Sequence, residues 1–307
     1  MGLTVGARLC AKTRVLAFFF LTAALALAPF IAEPGFAQPT DIRRADEGGL
    51  WTALISQASG LGLPIRFLRV IPADFIAVEF ADLRTFAAEY HPETHRMVLN
   101  RALSFNAAGR VLRPLAGMNH RDVATIYHEL FHAYMDYISA FPDPGAIEAE
   151  MQRLLAFAKE QQECRYSFVQ ITPLPQKKTV IEPRFLSDRE SWEALNETWA
   201  VFVGWAIWTK LEVGGSSQPA REKFGNLLKK ADQSSLLVGY YEPEDSKERA
   251  VTHKRYLSPG NRISQSEVML LLEVVLGENA REAARLAAVM RPNPAPVPGT
   301  PGCQKEK

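Results

Sequence analysis

Residues 126–134 read Ile-Tyr-His-Glu-Leu-Phe-His-Ala-Tyr, and the segment His128-Glu129-Leu130-Phe131-His132 inside them constrains everything around it. Side chains four apart on a helix share one face, one turn apart. Both imidazoles can then reach a single ion while Glu129 addresses a water on it, the ligands-plus-base arrangement of hydrolytic zinc sites. The geometry works only on a helix with one side open to a cleft. Asn119 is a good N-cap, Asp122 suits the positive helix end, and Pro142 and Pro144 stop the run, which predicts a helix over about 120–139. His128, Phe131 and His132 would face the cleft, and Ile126, Leu130, Ala133 and Tyr137 would pack against a sheet.

The chain opens with a segment that reads as a secretory signal peptide over 1–37. Arg8, Lys12 and Arg14 precede an apolar run over 15–28, and Gly35-Phe36-Ala37 offers small residues for cleavage before Gln38. An uncleaved membrane anchor is the competing reading of the same stretch. Pro29 and the small-residue exit favour cleavage, so a secreted or periplasmic protein without stable membrane insertion is expected. Removing 37 of 307 residues leaves 270, enough for one large domain or two lobes sharing a cleft. The net charge of +1 gives no basic surface for nucleic acid. Only Cys164 and Cys303 follow the signal segment; they could pair in an oxidising compartment, but stability is expected from the apolar core.

Two subdomains are expected, a sheet plus the active helix over 38–140 and a mainly helical part over 141–290. The first contains a short helix at 50–58, strand-like runs at 65–71 and 75–80, and a hairpin of 85–90 with 96–100 around His91-Pro92-Glu93-Thr94-His95. His91 and His95 are also four apart, but around a proline turn they read as exposed loop histidines. The second contains an amphipathic helix over 146–169, a proline-containing linker at 173–178 and a helix over 188–212 opened by the capping box Ser187…Glu190. A helix near 220–235 and a polar loop over 239–260 follow. Ser264…Glu267 is a second capping box, for a helix ending at Gly277, and an Ala-rich helix covers 278–290. Residues 291–307, with Pro292, Pro294, Pro296, Pro298 and Pro301, are expected to form a disordered tail. Trp192, Trp199, Trp205 and Trp208 read as core.

Catalytic zinc takes three protein ligands and keeps one position open. Met135 and Ile138 stand where the extended H-E-x-x-H-x-x-G-x-x-H pattern needs Gly and His, so the third ligand must come from elsewhere. The helix over 188–212 is apolar around its second half and carries Glu193 and Glu197 four apart, with Ala200 and Gly204 on the same face. Glu197, 65 residues after His132, is the better candidate and Glu193 the second.

The segments His128-Glu129-Leu130-Phe131-His132 and Asn196-Glu197-Thr198-Trp199-Ala200, with the hairpin from Glu89-Tyr90 to Leu99-Asn100, resemble the gluzincins, the thermolysin-like zinc peptidases. The resemblance implies an α+β, zincin-like fold in which a small mixed sheet packs on the active-site helix and a mainly helical lobe follows. It implies Zn2+ held by His128, His132 and Glu197, with Glu129 taking a proton from the attacking water and returning it to the leaving amine. It also implies an oxyanion-stabilising Tyr or His from the distal lobe, for which His253 and Tyr256 come first and Tyr240 and Tyr241 second. Val201 stands where such proteins often carry an acid, and Asp136 could take that place. The expected activity is peptide-bond hydrolysis, with a peptide or protein substrate adding to the sheet edge near 84–99. The alternatives are a metal-binding protein on the same scaffold with a binding or assembly role, and a helix whose metal is structural or absent.

Overall fold

The computed structural model describes residues 44–84, 86–106, 111–140, 148–172, 180–214 and 217–292. The expected signal segment, the linker at 173–178 and all of the expected tail beyond Pro292 lie outside the described residues. Helix α1 (Arg44–Gly60) buries Trp51, Leu54 and Ala58, and Gly62, at φ 65, lets the chain turn back. The strand expected over 65–71 is instead a single helical turn, α2 (Arg66–Arg69). Phe67 and Leu68 within it and Ile71 just after it are buried, the i, i+1, i+4 spacing of a helix face rather than strand alternation.

Strands β1 (Ala77–Ala81), β2 (Ala88–His91) and β3 (Arg96–Asn100) form a mixed three-stranded sheet in the order β1-β3-β2. β1 runs parallel to β3 and β2 antiparallel to it, so β2 is an edge. The hairpin closes through a 3-10 turn at Pro92–Thr94 and His95 in the left-handed region at φ 48. Helix α3 (His120–Ser139) lies against β2 with the boundaries its sequence signals dictate. The Asn119 side chain accepts from Asp122 N at 2.8 Å, and Ile126, Leu130, Ala133, Met135 and Ile138 are fully buried.

Helix α4 (Ala149–Gln161) runs into a π turn at Gln162–Tyr166. After strands β4 (Phe168–Thr172) and β5 (Glu182–Phe185) comes the long helix α5 (Asp188–Val213), opened by the Ser187–Glu190 capping box. Helix α6 (Gln218–Gln233), strand β6 (Tyr240–Tyr241), helix α7 (Ser246–Val251), strand β7 (Arg255–Leu257) and helices α8 (Gln265–Val274) and α9 (Ala280–Ala287) complete the order. The described residues of the second half are mostly helical, but they also carry strands. The strands form an antiparallel four-stranded sheet, β5-β4-β7-β6, and β6 and β7 occupy the stretch expected as polar loop. These strands are two to five residues long. β5 contains Pro183, which only an edge strand tolerates, so no periodic signal announces it.

The centre of the molecule is the packing of α3 on α5. Gly204 permits their closest approach, since a Cβ there would lie 3.1 Å from Ala124 O and 3.4 Å from His128 Cβ. Phe131 meets Trp199 at 6.5 Å between ring centroids. Trp199 is fully buried and donates Nε1 to Glu267 Oε1 at 2.8 Å, while Trp192 and Trp205 pack partly on the core and Trp208 is 37% exposed. Buried Glu267 also accepts from the Tyr166 hydroxyl and from Ser264 N, so its carboxylate is satisfied from three sides. Cys164 is disulfide-bonded, and the other two cysteines lie outside the described residues. At the end of the described chain, fully buried Asp232 of α6 accepts from the Arg262 and Arg291 guanidinium groups and from Arg291 N at 3.0 Å. Arg262 in turn donates to the carbonyls of Arg291 and Pro292.

Candidate metal centre

α3 places His128 and His132 one turn apart on the face turned to α5, and α5 presents Glu197 opposite them. The two Nε2 atoms are 3.1 Å apart. Glu197 addresses both imidazoles, with Oε2 3.3 Å from His128 Nε2 and Oε1 3.4 Å from His132 Nε2. Two ligand atoms bound tetrahedrally at 2.0–2.1 Å are about 3.3 Å apart. All three separations lie close to that value, and among the described residues these three form the group able to hold a metal ion. Glu193, the second candidate, is not in the group; it stands one turn earlier, partly exposed, and accepts from the backbone of Glu242.

The electrostatics fit a cation. Burial alone would raise the Glu197 carboxyl, but the two imidazoles outweigh it and hold it well below the usual carboxylate range. Burial opposes charge on His132, and the Glu197 carboxylate overrides it, pushing the imidazole up to about 9. Glu197 Oε2 is nevertheless buried with no hydrogen-bond partner. A buried carboxylate oxygen without a donor is costly, and an ion held by two imidazoles and one carboxylate removes that cost. The donor set and its spacing therefore fit zinc.

Glu129 directly follows His128 in the chain. Its Oε2 accepts from Tyr90 N of edge strand β2 at 2.9 Å, which ties the carboxylate to the sheet. Burial raises its carboxyl above the ordinary value, against the lowering effect of His128 and His132.

The distal residues are sorted differently from the sequence-based order. His253 is exposed, and Tyr256 is 43% exposed with its ring 5.7 Å from that of Tyr240. Tyr240 is the phenol that faces Glu197: burial, then that carboxylate, raise its pKa, and Glu129 and Glu193 add to the effect. Gly239 seats it there, pressed on the α5 backbone with its N–H donating to Thr198 Oγ1 at 3.2 Å. Tyr241 is buried against the core. Asp136 does not orient a ligand histidine. Its Oδ2 accepts from the Tyr90 hydroxyl at 2.5 Å and pairs with His95 Nδ1 at 2.7 Å. His95 is thus engaged rather than a free loop residue, with Phe75 4.4 Å away between ring centroids, while His91 stays partly exposed 3.9 Å from Glu89. Compared with protein-family models, curated proteins and solved structures, the chain matches none.

Proposed function

We propose that the protein is an exported zinc metallopeptidase of gluzincin type with a zincin-like core. One observation carries the reading: two imidazoles and a carboxylate at 3.1–3.4 Å, with the Glu129 carboxylate beside them and hydrogen-bonded to an edge strand. A ligand-only site has no use for Glu129, and a structural site would be closed by a fourth protein ligand. Edge strand β2 next to α3 supports the way a substrate enters, because an extended peptide can add to an open sheet edge. His128, His132 and Glu197 would hold the metal. When bound, zinc supplies Lewis acidity, making water a nucleophile near neutral pH and polarising a carbonyl. Glu129, desolvated and so inclined to take up a proton, accepts it from the attacking water and passes it to the leaving amine. Tyr240 takes the oxyanion-donor role in place of His253 and Tyr256, since its phenol keeps its proton and lies at the cluster.

The test is metal analysis and hydrolysis of casein or a peptide library by the purified mature chain. One zinc per chain is expected, with Glu129→Gln keeping the metal and losing at least 100-fold in rate, the lower end for a general base. Folded protein that takes up no zinc overturns the site. An active Glu129→Gln overturns the mechanism, and bound zinc without turnover gives the scaffold a binding role.

A further inference from the structure

Lys254 stands immediately before β7. Its ammonium donates to the Tyr240 hydroxyl at 2.7 Å, and among the described residues it forms no ion pair. It lies 4.0 Å from the centroid of the Tyr240 ring and 6.0 Å from that of Phe86. Tyr240 belongs to the second sheet, beside the metal cluster, whereas Phe86 lies two residues before edge strand β2. The lysine therefore sits between the sheet that would carry the substrate and the tyrosine that faces Glu197. Phe86 and Tyr256, whose ring is 5.7 Å from that of Tyr240, are 52% and 43% exposed, so this aromatic mouth is open to solvent.

A part-buried ammonium held over ring faces is stabilised by their quadrupoles but not neutralised. Among the described residues no carboxylate pairs with it directly, although carboxylates lie one residue away through Tyr240. A divalent ion in the cluster would offset Glu129 and Glu197, leaving the Lys254 charge for something else. Its phenol contact uses one of three ammonium donors. We infer that Lys254 is a specificity-determining residue, and that the cleft selects peptides carrying a carboxylate beside the bond to be cleaved, from an acidic side chain or a free chain terminus. The inference rests on the peptidase reading for the word cleaved, but carboxylate binding can be measured without turnover.

Zinc-loaded full chain is offered paired peptides, Asp against Asn at each position and free acid against amide at the C-terminus. The carboxylate member is expected to have about 10- to 100-fold higher kcat/KM, the worth of one charge-assisted hydrogen bond. The same pairs titrated calorimetrically into zinc-loaded Glu129→Gln protein should give a similar ratio in Kd. Lys254→Met should collapse the ratio towards one, and Lys254→Arg should keep most of it. A high ratio for Asp over Asn alone assigns a side chain, and for acid over amide alone a chain terminus. Ratios near one for every pair in the wild-type chain, in both assays, overturn the inference, and continued cleavage in that case leaves the peptidase reading standing. A ratio unchanged in Lys254→Met also overturns it. Selective binding with no cleavage of any peptide overturns the peptidase reading and leaves the carboxylate site.

Discussion

Replacing Gly239 by alanine tests whether the loop behind the candidate metal centre is seated as described. A Cβ at this position would lie 2.5 Å from Thr198 N, 2.7 Å from Thr198 Oγ1 and 2.9 Å from Glu197 C. An ordinary contact is about 3.5 Å, so the closest pair falls roughly 1 Å short. α5 cannot yield: Thr198 is fully buried and its hydroxyl is bonded to Ala194 O at 2.7 Å. The loop must retreat instead, breaking the Gly239 N–H bond to Thr198 and pulling on Leu257 N, which donates to Gly239 O at 3.0 Å. Overpacking of this kind costs about 1–3 kcal/mol and the lost hydrogen bond about 1 kcal/mol, giving about 2–4 kcal/mol in all. Urea unfolding followed by circular dichroism measures it. Gly117→Ala serves as the control: a Cβ there meets nothing within 4 Å, and its change should stay within about 0.5 kcal/mol. Because Tyr240 is the next residue, turnover in folded Gly239→Ala should fall by at least about tenfold, as expected for a misplaced reacting group. A Gly239→Ala protein as stable as the Gly117→Ala control would refute the reasoning.

Two further outcomes follow from the same geometry. Tyr90→Phe removes the donor to Asp136, a charged acceptor with 19% side-chain exposure, and should cost about 1–2 kcal/mol in urea unfolding. It should also lower kcat with zinc content unchanged, because the lost Asp136 anchor lets the strand whose Tyr90 N–H holds Glu129 shift; a full kcat would show that this anchor does not position the carboxylate. Burial pushes the Glu193 carboxyl from 4.5 to about 7, so ionising it is harder in the folded chain than in the unfolded one. Its stabilising contribution is complete below pH 4.5 and is lost as pH rises through 7. In chelator-treated protein this loss should reach about 1–3 kcal/mol, discounted for the group's partial exposure, and Glu193→Gln should lack it. Superimposable stability–pH curves for the two proteins would contradict that account.

Helices α3 and α5 are legible in the chain because their starts are written in local chemistry: Asn119 with Asp122, and Ser187 with Glu190, satisfy backbone groups within one turn. The pairing of His128 with His132 needs only helical spacing. Choosing Glu197 over Glu193 is a weaker inference, since both lie on one face and only the crossing of α3 decides which carboxylate it meets. Tyr240 ranks behind His253 and Tyr256 in the sequence because its place depends on Gly239 touching Thr198, a contact across 41 residues with no local signature. Asp136 is a similar case. One turn past His132 it reads as an orienting acid, yet the hairpin offers it a phenol and an imidazole. The second sheet escapes notice for a different reason: its strands are short, and their register is set by partners far along the chain rather than by alternation.

The Asp232 lock sets a limit on how far this chain can be shortened from its C-terminal side. Helix α9 ends at Ala287, and a cut just beyond it, at Met290, looks harmless in a secondary-structure diagram. It would remove Arg291, and with it a guanidinium and a backbone N–H that reach a carboxylate with no solvent exposure. Arg262 would lose both carbonyls it holds and remain as the sole cation beside a buried anion. A shortened chain must therefore keep Arg291 and Pro292, a limit set by one ion cluster rather than by the last helix.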